Sequence, residues 1–178
     1  QNVKIVAVSG NLTDNYNPGN RTLNLSESVY GAATVSAVSV ACHEAGHAIQ
    51  HSKGYFPLKF RNAIVPVVNF SSRISWLLII AGIILMSVNS VNSSLGLRLL
   101  DLGIIAFIAV LVFHIITLPV EFDASHRAIK QMEALNLVSS QDVAGSKKVL
   151  GAAAMTYIAA VAVAAANLLR VLVIRNRN

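Results

Sequence analysis

His43-Glu44-Ala45-Gly46-His47 sets two imidazoles four residues apart, with a carboxylate directly after the first. On a helix that spacing puts both rings on one face, one turn apart, where they can hold a single metal ion. Glu44 then stands about 100° round the helix from His43, within reach of a water at such an ion. The chemistry this allows is metal-assisted hydrolysis, with the ion as Lewis acid and the carboxylate as general base. His51 extends the series by a further turn, so His47 and His51 could chelate as well. Only the first pair carries a Glu after its leading His, which leaves His51 as a supporting or surface residue near the helix end. The single Cys42 excludes a cysteine-built zinc site and an intramolecular disulfide framework, so a metal must rest on His and carboxylates.

A catalytic zinc usually takes three protein ligands and keeps one position for water. The third has to come from elsewhere in the chain. Glu121 and Asp123 stand just after an apolar stretch, and carboxylates at a membrane boundary seldom lack a role. Glu121 is the candidate ligand; its alternative is a solvated acid stabilised by a helix N-terminus just after Pro119.

The helix that presents the histidines is expected over residues 34–53, which are rich in Ala, Val and Ser, lack Pro, and are followed by Gly54 as a C-terminal cap. Residues 1–33 are the polar-rich part. The run Val3 to Val8, the turn cluster Thr13 to Asn20 and the alternation Thr22-Leu23-Asn24-Leu25-Ser26 predict two short strands joined by a loop, a small β-hairpin. Thr22 to Ser26 could offer an open edge to an extended peptide. Residues 55–73 mix apolar and basic side chains around Pro57 and Pro66, which fits an interfacial segment. Residues 74–92 are long and apolar enough for a first membrane span, anchored by Trp76. A polar turn through Asn89, Ser90, Asn92, Ser93, Ser94 and Gly96 leads to a second span at 97–120, in which Asp101 is expected to pair with Arg98. Residues 121–148 predict a charged helix ended by Asn136, then a capping box of Ser139 and Asp142; residues 149–174 are a third span. The expected whole is one domain over 1–178: a mostly α, integral membrane protein with three spans and a zincin-like active-site helix.

Composition agrees. The 178 residues are 54% hydrophobic with a mean hydropathy of +0.61, and only 12% are charged, where soluble domains have roughly 25%. A disordered tail is excluded, and the long apolar blocks favour a membrane protein over an ordinary soluble domain. The net charge of +6 and pI near 9.8 do not point to nucleic acid, because the basic residues flank apolar stretches and form no aromatic-interleaved stripe. Eight of them (Lys53, Lys59, Arg61, Arg73, Arg127, Lys130, Lys147, Lys148) lie on the side of the histidines, against Arg98, Arg175 and Arg177 opposite. By the positive-inside rule the site faces the cytoplasm of a multi-pass protein in the bacterial cell membrane. The chain begins at Gln1 and shows no signal peptide.

Leu25-Ser26-Glu27-Ser28-Val29-Tyr30, Ala41 to His51, Gly54-Tyr55-Phe56-Pro57-Leu58-Lys59 and Leu118-Pro119-Val120-Glu121-Phe122-Asp123-Ala124-Ser125 together resemble the bacterial membrane zinc metallopeptidases called YugP-like. The plan is more distantly similar to membrane gluzincins of the HtpX and CAAX-protease kind. In these a later helix supplies a Glu followed four residues on by an Asp. Ser125 occupies that Asp position, so Asp123 is the expected substitute for the supporting carboxylate. The resemblance implies one Zn²⁺ per chain held by His43, His47 and Glu121, Glu44 as general base, and a polypeptide substrate. His126, Arg127 and Tyr157 are possible donors to the oxyanion. Family members begin with a further membrane helix, which implies that the natural chain starts before Gln1. The competing readings are a non-catalytic zinc-binding membrane scaffold and an inactive peptidase homologue; oligomeric state is not encoded in any motif.

Overall fold

The computed structural model describes residues 2–88 and 93–177. Among them are three strands, β1 (Lys4–Val8), β2 (Asn15–Asn17) and β3 (Thr22–Ser26), and four helices, α1 (Val35–Ser52), α2 (Phe56–Val88), α3 (Ser93–Ala134) and α4 (Val143–Asn176). The protein is mostly helical, and α2, α3 and α4 are each long and apolar enough to cross a membrane. Of the expected polar turn, Asn89, Ser90 and Asn92 lie outside the described residues, whereas Ser93, Ser94 and Gly96 belong to the first turn of α3 and are helical. Two compact units are formed, one from Gln1–Lys59 with Leu118–Thr156 and one from Phe60–Thr117 with Tyr157–Asn178.

In the first unit the sheet has the order β1-β3-β2, with β1 parallel and β2 antiparallel to β3. The hairpin is therefore β2 with β3, and the stretch read as a turn cluster contains a strand. Its tight return is made by Pro18 to Arg21, where Arg21 takes a positive φ of 53°. β3 is the central strand, with Leu23, Leu25 and Ser26 buried, so its edges are already paired. That corrects the expectation of an open edge at Thr22 to Ser26: the edges belong to β1 and β2. Asp14 holds the end of β3, its two carboxylate oxygens accepting from the Ser26 N–H (2.8 Å) and hydroxyl (2.9 Å).

α1 begins where Thr34 Oγ1 accepts from the Ala37 N–H (3.2 Å). It ends in a Schellman motif: Tyr55 N–H reaches Gln50 O and Gly54 N–H reaches His51 O, with Gly54 in the left-handed region at φ 65°. α3 closes in the same way on Asn136 (φ 50°), where Leu137 N–H bonds Met132 O. Just before α4, Ser139 Oγ accepts from the Asp142 N–H (3.2 Å), one half of the expected capping box, and donates to Asp142 Oδ2 (2.6 Å). Ala128, Met132 and Leu150 form the core of this unit, with Val38, Cys42 and Ile129 packed against it.

The second unit packs Ile79, Leu100, Ile104 and Val171 as its core. α2 and α3 approach closely here, because a Cβ at Gly82 would stand 2.7 Å from the Gly96 carbonyl oxygen. Leu77, Ile105 and Leu169 are exposed by more than 60%, which water tolerates poorly and lipid does not penalise. Asp101 pairs with Arg175 at 2.8 Å and not with Arg98. Partner choice between helices follows their packing, which sequence neighbourhood does not reveal.

Three boundaries differ from the sequence reading. Residues 55–73 are no separate interfacial segment, because α2 runs from Phe56 to Val88. Pro57 sits in the first turn, where no N–H is needed, and Pro66 removes one internal bond without ending the helix. α3 likewise continues through Pro119 from the apolar stretch into the charged one, and α4 carries Lys147 and Lys148 in its second turn.

Candidate active site

All the side chains of the site belong to the first unit. α1 presents His43, Glu44, His47 and Gln50, and the part of α3 after Pro119 presents Glu121, Asp123 and Ser125. The two helices meet at Gly46: a Cβ there would collide with the Ala124 carbonyl oxygen and lie 3.0 Å from its carbon. Only glycine lets the histidine face come this close to Glu121. Gly46→Ala is therefore expected to destabilise the fold by about 1–3 kcal/mol through overpacking, despite the gain of about 1 kcal/mol in helix propensity. Thermal unfolding checks this; an unchanged midpoint would mean that the contact relaxes freely.

His43 Nε2 lies 3.2 Å and His47 Nε2 3.5 Å from Glu121 Oε2. The imidazoles stand edge to face, 4.9 Å apart at 85°. Among the described residues, His43, His47 and Glu121 form the group that could hold a metal ion, with one donor atom each and all three within 4.8 Å of one another. Glu121 is 2% and His47 8% exposed, so a carboxylate and two lone pairs converge out of water and call for a cation between them.

The far nitrogens of both rings are held. Gln50 is fully buried, and its Nε2 donates to Val120 O (2.8 Å) and Asp123 Oδ2 (2.8 Å). Both amide hydrogens are thereby committed, so Oε1 must be the acceptor facing His47 Nδ1 at 2.9 Å. His47 then carries its proton on Nδ1 and keeps the Nε2 lone pair for a metal. His43 Nδ1 meets Ser125 Oγ at 3.1 Å. Ser125 thus supports His43 directly, whereas Asp123 acts one bond away from His47, through Gln50. Arg127 Nε in turn donates to Asp123 Oδ2 (2.6 Å), and its guanidinium lies over the Tyr55 ring.

Glu44 is not aimed at the same point as the three donors but neighbours them. Its Oε2 accepts from the backbone N–H of Tyr16 on β2 (2.9 Å). Burial raises the Glu44 pKa, and the charges of His47 and His43 and the Tyr16 N–H pull it back only in part, so it stands above the ordinary carboxylate value. Burial works against a charged His47, but Glu121, Glu44 and Gln50 outweigh it and raise the His47 pKa. A partly buried carboxylate of raised pKa is a stronger proton acceptor than an ordinary one, which suits a group that takes and returns a proton.

The remaining candidates are placed elsewhere. His51 bonds Tyr16 Oη at 2.8 Å and is not in the three-residue group. His126 lines a cavity of about 270 Å³ with Phe122, Ser125, Lys147 and Leu150. Tyr157 belongs to the other unit. Two residues escaped the sequence reading. Gln50 could have been found, since it sits three residues after His47 on the same helix face; the contact of Tyr16 N–H with Glu44 links residues 28 apart and left no signal.

Residues 1–176 match a family described as "putative neutral zinc metallopeptidase". Over 172 residues the chain is 45% identical to "Putative membrane protease YugP" of Bacillus subtilis (strain 168), which covers 97% of this chain and 72% of that protein. No solved structure matches. By the extent of both matches, the chain belongs to the family described as putative neutral zinc metallopeptidases.

Proposed function

We propose that the chain is a zinc-dependent membrane endopeptidase that hydrolyses unfolded or membrane-proximal polypeptide. The observation that carries this reading is the convergence of His43 Nε2, His47 Nε2 and Glu121 Oε2 within 4.8 Å, beside a partly buried carboxylate from the next position on α1. The donor set fits one Zn²⁺: two imidazoles and a carboxylate, with the tautomer of His47 dictated by Gln50. When bound, the ion supplies a Lewis acid that acidifies water and polarises a peptide carbonyl. The chain's own residues do the rest. Gln50 and Ser125 keep the two rings in register. Glu44 takes the proton of the attacking water and returns it to the leaving amine, breaking the C–N bond. His126 and Arg127 are candidates to steady the developing oxyanion, of which Arg127 is already engaged by Asp123.

The membrane setting supports the substrate class. A helix from Leu97 to Val120 rises about 36 Å, enough for a hydrocarbon core of roughly 30 Å, so Glu121 emerges at the bilayer boundary. The basic segments that flank the site side favour the cytoplasmic face of a bacterial cell membrane. A structural zinc site is closed by four protein ligands, whereas the group here counts three among the described residues.

Cleavage of an unfolded protein by the detergent-solubilised protein tests the reading. Chelation is expected to abolish cleavage and stoichiometric zinc to restore it; cleavage indifferent to chelator would assign the activity to another site or a contaminant.

A further inference from the structure

His51 is the third histidine of α1, which the metal group leaves over, and its place in the fold gives it a task. It lies seven residues after Glu44 on α1, two turns along the same side of the helix. Both residues reach one residue of the edge strand. Tyr16 donates its backbone N–H to Glu44 Oε2 at 2.9 Å, and its phenol oxygen shares a hydrogen bond with His51 Nδ1 at 2.8 Å, the rings lying 5.8 Å apart. β2 is only three residues long and pairs on one side, with β3; a strand so short holds its place poorly by ladder bonds alone. The N–H that Glu44 receives is on the edge turned away from β3, so any slip of β2 withdraws it.

We infer that His51 is a positioning residue for the general base: by gripping the Tyr16 phenol it straps β2 along α1, and the strap seats the Tyr16 N–H on the Glu44 carboxylate. One carboxylate oxygen is thereby occupied and the rotamer held, leaving Oε1 to receive the proton. A loose Glu has many rotamers to lose before it can act, and supporting contacts of this kind are what hold a reacting group in its productive geometry. The inference rests on the peptidase reading for its effect on rate, while the strap itself is a structural claim with its own readout.

The test uses the zinc-loaded, detergent-solubilised protein and the variants Tyr16→Phe, His51→Phe, the double variant and His51→Gln. Hydrogen exchange of the Tyr16 amide reports the strap; kcat, KM and zinc content report its consequence. His51→Phe and Tyr16→Phe are each expected to speed Tyr16 exchange and to lower kcat by about 10-fold, the lower end for supporting residues at metal sites, with KM and zinc content unchanged. The double variant should be no worse than either single one, because both cut the same strap. His51→Gln, which can still meet the phenol, should recover most of the loss. Tyr16 exchange unaffected by His51→Phe, kcat unchanged once protection is lost, or losses that multiply in the double variant would each overturn the inference. If the unaltered protein hydrolyses nothing, the peptidase reading fails, and the Tyr16 exchange in His51→Phe still decides the strap.

Discussion

Glu44→Gln lowers turnover of an unfolded substrate by about 10²- to 10⁴-fold, the range supplied by a positioned general base, with zinc content and thermal stability retained. The amide keeps the volume of the carboxylate, and its oxygen can still accept from Tyr16 N–H, so the 2.9 Å contact with β2 survives. What is lost is the ability to hold a proton between the attacking water and the leaving amine. None of the three atoms that converge at the metal group belongs to Glu44, which is why binding and hydrolysis separate in this variant. Equal rates for Glu44→Gln and the unaltered protein, at matched zinc content, would remove Glu44 from the reaction. A metal-binding scaffold would then be the better description.

Gln50→Leu is expected to weaken zinc binding by about 10- to 100-fold, as loss of a residue that orients a metal-binding histidine does, and to lower stability as well. Leucine matches the shape but leaves His47 Nδ1 without its acceptor and takes one donor each from Val120 O and from Asp123 Oδ2, which keeps Arg127 Nε. A buried group stripped of its hydrogen bond costs about 1–3 kcal/mol, and Gln50 is fully buried. With Nδ1 no longer committed, His47 can shift its proton to Nε2 and present a donor where a lone pair is required. Competition with a chelator of known affinity measures the first effect and thermal unfolding the second. Ser125→Ala is the comparison: Ser125 is only half-buried, water can replace its hydroxyl at His43 Nδ1, and the loss should be clearly smaller. Equal losses in the two variants would mean that the tautomer of His47 is not what Gln50 secures.

Much of the site lies open in local spacing. His43, Glu44 and His47 could be read as a unit because a helix repeats every 3.6 residues and needs no tertiary partner to put positions four apart on one face. Gly54, Asn136, Ser139 and Asp142 marked helix ends for the same reason: caps are satisfied within a few residues. The three helices long and apolar enough to cross a membrane were legible because length and apolarity are themselves local quantities. Their ends were not, since a hydrophobic pattern records where the surroundings change from lipid to water. The backbone of α3 continues through Pro119 and past Val120 regardless, as α4 does through Lys147 and Lys148.

By itself, then, the sequence determined a mostly helical protein with three helices apolar enough to cross a membrane, a helix whose histidines could share a metal ion, and a carboxylate beyond the second apolar stretch, all consequences of periodicity, polarity and composition. The tertiary structure decided what depends on distant segments meeting. It brought Glu121 to the histidines 78 and 74 residues away and tied Gln50 to Asp123. It also made β3 the centre of the sheet and not its edge, joined Asp101 to Arg175, and laid Tyr16 on Glu44. Such pairings are settled by close packing, here by the absence of a side chain at Gly46 that lets α1 and α3 touch, and a contact of that kind leaves no period in the chain for a reader to find.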